Sequence, residues 1–328
     1  MDYLLFLQNL RESCPAFINN FFIFISEAVV SLLILIPVII YWSVDKKVGL
    51  WFLFNYSAGY FTNQCVKNTA CVYRPWIRDS RLHLAKEAVY SATGYSFPSG
   101  HTALGTLVLE SLAVWKRKNK FLVVLSAIGI FLIAFARNWL GAHSQYDVIV
   151  SVLLASIVII INIFIVKAID GKCDNKLGKS QKFSLDFLLV MIGLILLVIL
   201  MLYLNFKNYP LDYDLEGKIL VDPYDMLTDC YTGAGMLGGF LIGFLLERHF
   251  VKFQTEQPKK ILILRSLIGS VILLLLYLVI LPLIFKGLGQ HLSHILKYFI
   301  IFLFVTFIYP CLFVLVEKKS SYPGKVKI

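Results

Sequence analysis

The chain has 328 residues, of which 59% are hydrophobic and 16% charged, with a mean hydropathy of +0.76. About a quarter of the residues of a soluble globular domain are charged, so this composition excludes one and predicts an all-α, polytopic integral membrane protein. The formal net charge of +11 does not mark a nucleic-acid binder, because Lys and Arg fall in short clusters between apolar runs, as they do in cytoplasmic loops.

Residues 1–18 begin MDYLLFLQNLRESCP. This stretch lacks the basic start and small-residue cleavage site of a signal peptide and reads as an amphipathic helix lying on the membrane surface. Nine apolar runs follow, near 19–42, 48–66, 102–115, 121–138, 147–168, 183–205, 230–247, 261–285 and 293–316. Most have the roughly 17–25 residues that cross a hydrocarbon core; the third is short and the seventh is rich in glycine. Backbone polar groups in lipid must be satisfied within the segment, which makes these runs helices. The organisation predicted is an interfacial segment (1–18), a catalytic core (19–182) and a C-terminal set of transmembrane helices (183–328). In the seventh run Gly235, Gly239 and Gly243 recur at four-residue spacing, a pattern for close helix packing. Packing within the chain accounts for it as well as a homo-oligomer does. The six Cys contain no CxxC pair and indicate neither zinc nor a disulfide framework.

Basic clusters follow the odd-numbered runs: Lys46 and Lys47, KRKNK at 116–120, five Lys from Lys167 to Lys182, Arg248 with Lys252, Lys259 and Lys260, and Lys318, Lys319, Lys325 and Lys327. The loop from Tyr209 to Asp225 carries only Lys218 and five acidic residues. The expected orientation therefore has the N-terminus outside and the C-terminus in the cytoplasm.

Three polar constellations then fall on the extracytoplasmic side. KNTACVYRP holds Lys67 and Arg74, seven residues apart and on one face if the helix continues. FPSGHT holds Pro98, Ser99, Gly100 and His101. Pro98 is suited to starting a helix, and Ser99 and Gly100 leave backbone N–H groups at its positive end, where an anion is favoured. ARNWLGAHSQYD holds Arg137, His143 and Asp147.

Three cations at one membrane surface repel one another unless an anion compensates them, and a phosphoryl group does so, Arg by bidentate hydrogen bonds and Lys as a point charge. The plainer alternative is that they snorkel to lipid headgroups. His143 and Asp147 are four apart, so the carboxylate can orient one ring nitrogen while the other faces substrate. His143 then attacks phosphorus as a nucleophile, and His101 protonates the leaving oxygen and afterwards activates water. The cations and the helix N-terminus neutralise the developing charge, and no cofactor or metal is expected. A His and a carboxylate one turn apart would also suit Zn²⁺ or Mn²⁺, but Lys67, Arg74 and Arg137 argue against a cation site.

These residues resemble the three-part signature of the type 2 phosphatidic acid phosphatase superfamily, the lipid phosphate phosphatases. That pattern is Lys, six residues, Arg-Pro; Pro-Ser-Gly-His; and Ser-Arg, five residues, His, three residues, Asp. Lys67, Arg74 and Pro75, then Pro98 to His101, then Arg137, His143 and Asp147 match it, while Ala136 stands where the family usually has Ser. The resemblance implies a six-helix catalytic core and metal-independent hydrolysis through a phosphohistidine, with vanadate inhibition. It gives His143, His101 and Asp147 the catalytic roles, and gives Lys67, Arg74, Ser99, Gly100 and Arg137 the phosphate. Two helices before Lys67 and three after the core are similar to the plan of glucose-6-phosphatases and sphingosine-phosphate phosphatases.

The expected substrate is a phosphorylated lipid entering sideways from the bilayer. Alternatives are a soluble sugar phosphate, an isoprenyl diphosphate, and a lipid transporter without chemistry. The loop from Trp76 to Ser96, with Arg78, Arg81 and Lys86, is expected to cover the site.

Overall fold

A computed structural model describes residues 1–173 and 178–320. Of the predicted basic clusters, Lys176, Lys325 and Lys327 lie outside the described residues. Ten long helices organise the described chain: α1 (Asp2–Ser13), α2 (Ala16–Ser43), α3 (Lys46–Ala70), α4 (Gly100–Trp115), α5 (Lys120–Trp139), α6 (Gln145–Cys173), α7 (Lys179–Phe206), α8 (Pro223–Val251), α9 (Lys259–Ile284) and α10 (Gln290–Glu317). The protein is all-α and multi-pass.

Every predicted apolar run is one of these helices, but seven of them are long and apolar enough to cross a membrane by length and composition: α2 and α5 to α10. The two that fall short of that measure do so for different reasons. Helix α4 has 16 residues. Helix α3 has 25, but its sequence includes Asn55, Ser57, Asn63, Gln64 and Asn68, all buried. Its polar groups face neighbouring helices instead of lipid: Asn55 Nδ2 donates to Ser111 Oγ of α4 at 2.9 Å, and Asn162 Nδ2 of α6 donates to Asn55 Oδ1 at 2.9 Å. Interhelical hydrogen bonds of this kind hold bundles together where water offers no partner. Helix α3 is thus the central post, packed by α4, α6 and α8, while α7 and α9 expose long apolar rows such as Ile195, Ile199, Leu267 and Leu278.

The glycine stripe of α8 meets α10 within the chain. A Cβ at Gly235 would lie 2.4 Å from Ile295 O, and one at Gly239 would lie 2.3 Å from Phe299 O, so only glycine lets the two backbones approach. A large aromatic and aliphatic core joins α2, α3, α8 and α10 around Trp42, Tyr56, Phe240, Phe302 and Tyr309.

Helix α1 docks on the ends of the loops that carry the motifs. Arg11 donates to Trp139 O at 3.1 Å and to His83 O at 2.7 Å, and Gln8 exchanges hydrogen bonds with Arg81 O and His83 N. The 76–96 loop is thereby pinned between α1 and α5.

Candidate active site

Helix ends bring the three constellations together. Helix α3 stops at Ala70, and Cys71 takes a left-handed conformation (φ 50°) whose N–H bonds Lys67 O. The sequence expectation that Lys67 and Arg74 share a helical face therefore does not apply; the turn at Cys71 carries Arg74 back over the helix end. Helix α5 ends likewise, with Gly141 at φ 74°, where the chain turns abruptly and a Cβ would lie 3.0 Å from His83 O. The turn returns the Ala142 and His143 N–H groups to Arg137 O.

Pro98 does not occupy the first turn of α4. It lies ahead of the helix, and Ser99 caps it, its Oγ accepting from Thr102 N at 3.4 Å and from Thr102 Oγ1 at 3.0 Å. Gly100 is then the first helical residue. The Ser99 hydroxyl is spent on the cap, and its backbone N–H donates to Asp147 O at 3.2 Å.

Arg74 is buried and fixed along its whole fork. Nε donates to Gly94 O at 3.0 Å, Nη2 to Thr93 O at 2.6 Å, and Nη1 to Ala142 O at 2.8 Å. Nη1 also faces His143 Nε2 at 3.0 Å. Arg74 has no carboxylate within ion-pair distance among the described residues, and burial, then the charge of Arg137, push it below the usual guanidinium range. An anion beside it would relieve that.

His143 is 1% exposed. Its Nδ1 is 3.8 Å from Asp147 Oδ2, too far for a direct hydrogen bond. The Ser96 hydroxyl spans the gap, donating to Asp147 Oδ2 at 2.6 Å and lying 3.4 Å from Nδ1. Ser144 N also donates to Asp147 Oδ2 at 2.6 Å, and Ser144 Oγ accepts from Asp147 N at 3.3 Å, a reciprocal cap at the start of α6. These partners put the ring proton on Nδ1 and the lone pair on Nε2. Burial, followed by the charges of Arg74, Arg137 and Lys67, holds the imidazole well below its ordinary pKa, so it is neutral at neutral pH.

His101, on the first turn of α4, faces Glu27 Oε2 at 3.8 Å. Glu27 lies in a π-helical turn of α2, Ile25–Val29, and its other oxygen accepts from Arg137 Nη1 at 2.9 Å and from Ser91 Oγ at 2.7 Å. Arg137 is fully buried, donating also to Ser26 Oγ at 2.6 Å.

A cavity of about 580 Å³ opens over this cluster. Gln64, Lys67, Arg74, Gly100, His101 and His143 line its polar end, and Lys67 Nζ lies 4.0 Å from the point where a Cβ would stand on Gly100. Ser99, Arg137 and Asp147 are buried behind the wall. The rest of the lining is largely apolar, from Leu35 of α2, Leu104 of α4, Leu273 and Leu278 of α9, and Ile301 and Phe302 of α10, with Asp229 and Thr232 of α8 between. The covering loop contributes Ser91 and Thr93, while Arg81 pairs with Asp79 outside. Among the described residues no three His, Cys, Asp or Glu side chains gather as a metal site would.

Every sequence-predicted site residue thus falls at one end of the bundle, although Arg137 is engaged by Glu27. Sequence reasoning missed Ser96 and Glu27. Ser96 had no spacing to mark it, but Glu27 is the one charged residue between Ala16 and Ser43, and an ionisable group inside a membrane segment is a signal in itself.

A multi-pass helical protein with two histidines and a buried guanidinium around one cavity has the make-up of a membrane phosphatase, and comparison with known families agrees. Residues 48–169 match the PAP2 superfamily, and residues 231–321 match the PAP2 superfamily phosphatase transmembrane extension. The chain belongs to the PAP2, or type 2 phosphatidic acid phosphatase, superfamily. No curated protein and no solved structure matches it.

Proposed function

We propose that this membrane phosphatase hydrolyses a lipid phosphomonoester through a phosphohistidine on His143, without a metal. The lipid preference is carried by one observation: the cavity that holds both histidines continues into apolar walls from α2, α9 and α10. A phosphate bound at the polar end would leave its tail among Leu273, Leu278, Ile301 and Phe302. This end of the bundle is the extracytoplasmic one by the basic-loop argument.

The phosphate competes with His143 for Arg74 Nη1 and frees the Nε2 lone pair. Nε2 forms a bond to phosphorus while the P–O ester bond breaks, and the departing oxygen takes its proton from His101. Water then gives a proton to His101 and attacks phosphorus. The N–P bond breaks, its electron pair returns to Nε2, and inorganic phosphate leaves. Asp147, acting through Ser96, holds Nδ1–H and stabilises the charge that grows on the ring. Lys67, Arg74 and the Gly100 end of α4 meet the phosphoryl oxygens.

A sugar phosphate is the second reading, favoured by the polar groups of Gln64, Asp229 and Thr232 in the same lining. Phosphate release by the purified protein in detergent, with chelator present, tests both readings on long-chain phosphomonoesters, isoprenyl diphosphates and glucose 6-phosphate. Turnover of the long-chain esters that is abolished by His143→Ala is expected. Turnover of glucose 6-phosphate alone would reverse the substrate assignment, and activity retained in His143→Ala would refute the mechanism.

A further inference from the structure

The reaction proposed above asks opposite things of two histidines: His143 attacks as a neutral base, whereas His101 begins as an acid. Their surroundings differ accordingly. His143 reaches its carboxylate only through Ser96 and has Arg74 Nη1 on its other nitrogen. Burial, followed by the charges of Arg137, His143, Lys67 and Arg74, pushes the His101 imidazole well below its ordinary pKa too, which opposes its role as an acid. The single carboxylate within 4 Å of its ring, among the described residues, is Glu27.

Glu27 is held firmly for such a task. The π-helical turn Ile25–Val29 of α2 presents it to the site. Its Oε1 is filled by Arg137 Nη1, Ser91 Oγ and Ser26 Oγ at 2.9, 2.7 and 2.9 Å, which leaves Oε2 facing His101 Nε2. Among the described residues the side-chain hydrogen bonds of Arg137 run from Nη1 and Nη2 to Ser26, Glu27 and Ser91, while its Nε is buried without a partner and the residue does not line the cavity. Glu27 lies outside both segments that match the superfamily, 48–169 and 231–321.

Resting on the phosphatase reading, we propose that Glu27 is a positioning residue for the general acid: at 3.8 Å from Nε2, too far for a direct hydrogen bond, it supplies the negative charge that lets the His101 imidazole carry the leaving group's proton, with Arg137 as its anchor. A carboxylate that acts only as a counter-ion to Arg137 would leave the reaction insensitive to the leaving group. One that serves His101 makes an ester with a poor leaving group depend on it, while an ester whose leaving group departs as a stable anion needs little protonation.

The test compares kcat/KM for a long-chain alkyl phosphate and for p-nitrophenyl phosphate in wild type and Glu27→Gln, both purified in detergent. General acid catalysis contributes typically 10²–10⁴-fold, so the alkyl ester is expected to lose about 100-fold while the nitrophenyl ester stays within about threefold. Should Glu27→Gln not fold, Glu27→Asp keeps the charge beside Arg137 but withdraws the carboxylate by about one bond length, ~1.5 Å, and is expected to shift the ratio in the same sense. Equal losses on the two esters would overturn this role and leave the phosphatase reading standing. Wild-type protein that turned over neither ester would overturn the lipid-phosphomonoester reading and this role with it.

Discussion

Removing the Ser96 hydroxyl isolates the link between Asp147 and the histidine proposed as nucleophile. In Ser96→Ala the carboxylate loses a 2.6 Å hydrogen bond, and Nδ1 loses its nearest acceptor, with Asp147 Oδ2 left 3.8 Å away. Asp147 keeps its bond from Ser144 N, so the start of α6 stays capped and the fold is retained. A hydrogen bond to a charged group contributes about 1.5–3 kcal/mol. The ring gains positive charge only as Nε2 bonds phosphorus, so the loss falls on the transition state, and kcat is expected to drop about 10- to 100-fold. KM should change by less than about threefold, because the groups that meet the phosphate are untouched. The assay is phosphate release from a long-chain phosphomonoester in micelles, with thermal unfolding as the check on folding. A folded Ser96→Ala protein with wild-type kcat would refute the relay and the tautomer argument built on it.

Arg74→Lys removes the fork that bonds Thr93, Gly94 and Ala142 carbonyls; kcat/KM should fall about 100-fold and inhibition by vanadate should weaken, since a single ammonium cannot replace a planar guanidinium. Stability should depend on acid through His143. The unfolded imidazole takes up a proton near its ordinary value of 6.5, while the folded one, whose pKa is depressed, does not. The native contribution is therefore present above that pH and lost as pH falls below it, by up to about 1.4 kcal/mol per unit. Thermal midpoints between about pH 7.5 and 5.5 should decline less steeply in His143→Asn than in wild type. In α8, Gly239→Ala forces a Cβ to within 2.3 Å of Phe299 O, whereas Gly238→Ala meets only the Phe299 ring, at 3.6 Å. Overpacking of this kind costs about 1–3 kcal/mol, so the first should lower the melting temperature measurably and the second should leave it nearly unchanged.

The sequence carries the bundle and the outline of the site because both rest on strong signals. Long apolar runs dictate helices, and three polar motifs at the ends of such runs return to one surface. What it does not carry depends on turns and packing. The left-handed Cys71 that redirects Arg74 has no glycine to announce it, and Pro98 precedes α4 because Ser99 makes the better cap. Helix α3 reads as a membrane crossing, yet its polar residues belong to the interior of the bundle, a distinction that hydropathy alone does not draw. The carbonyls of Thr93, Gly94 and Ala142 that fix Arg74 are backbone atoms, and no residue type identifies them. Glu27 was visible as a charge within an apolar run, but its partner, Arg137, is 110 residues away.

Covalent capture of the phosphoryl group tests the central claim most directly. Wild-type protein mixed with a radiolabelled long-chain phosphomonoester and quenched within a turnover should carry label that is stable to base, labile to acid and located on residue 143 by peptide mass spectrometry. His143→Ala should carry none. Rapid phosphate release by the wild type with no label on His143, or with label on another side chain, would contradict the account.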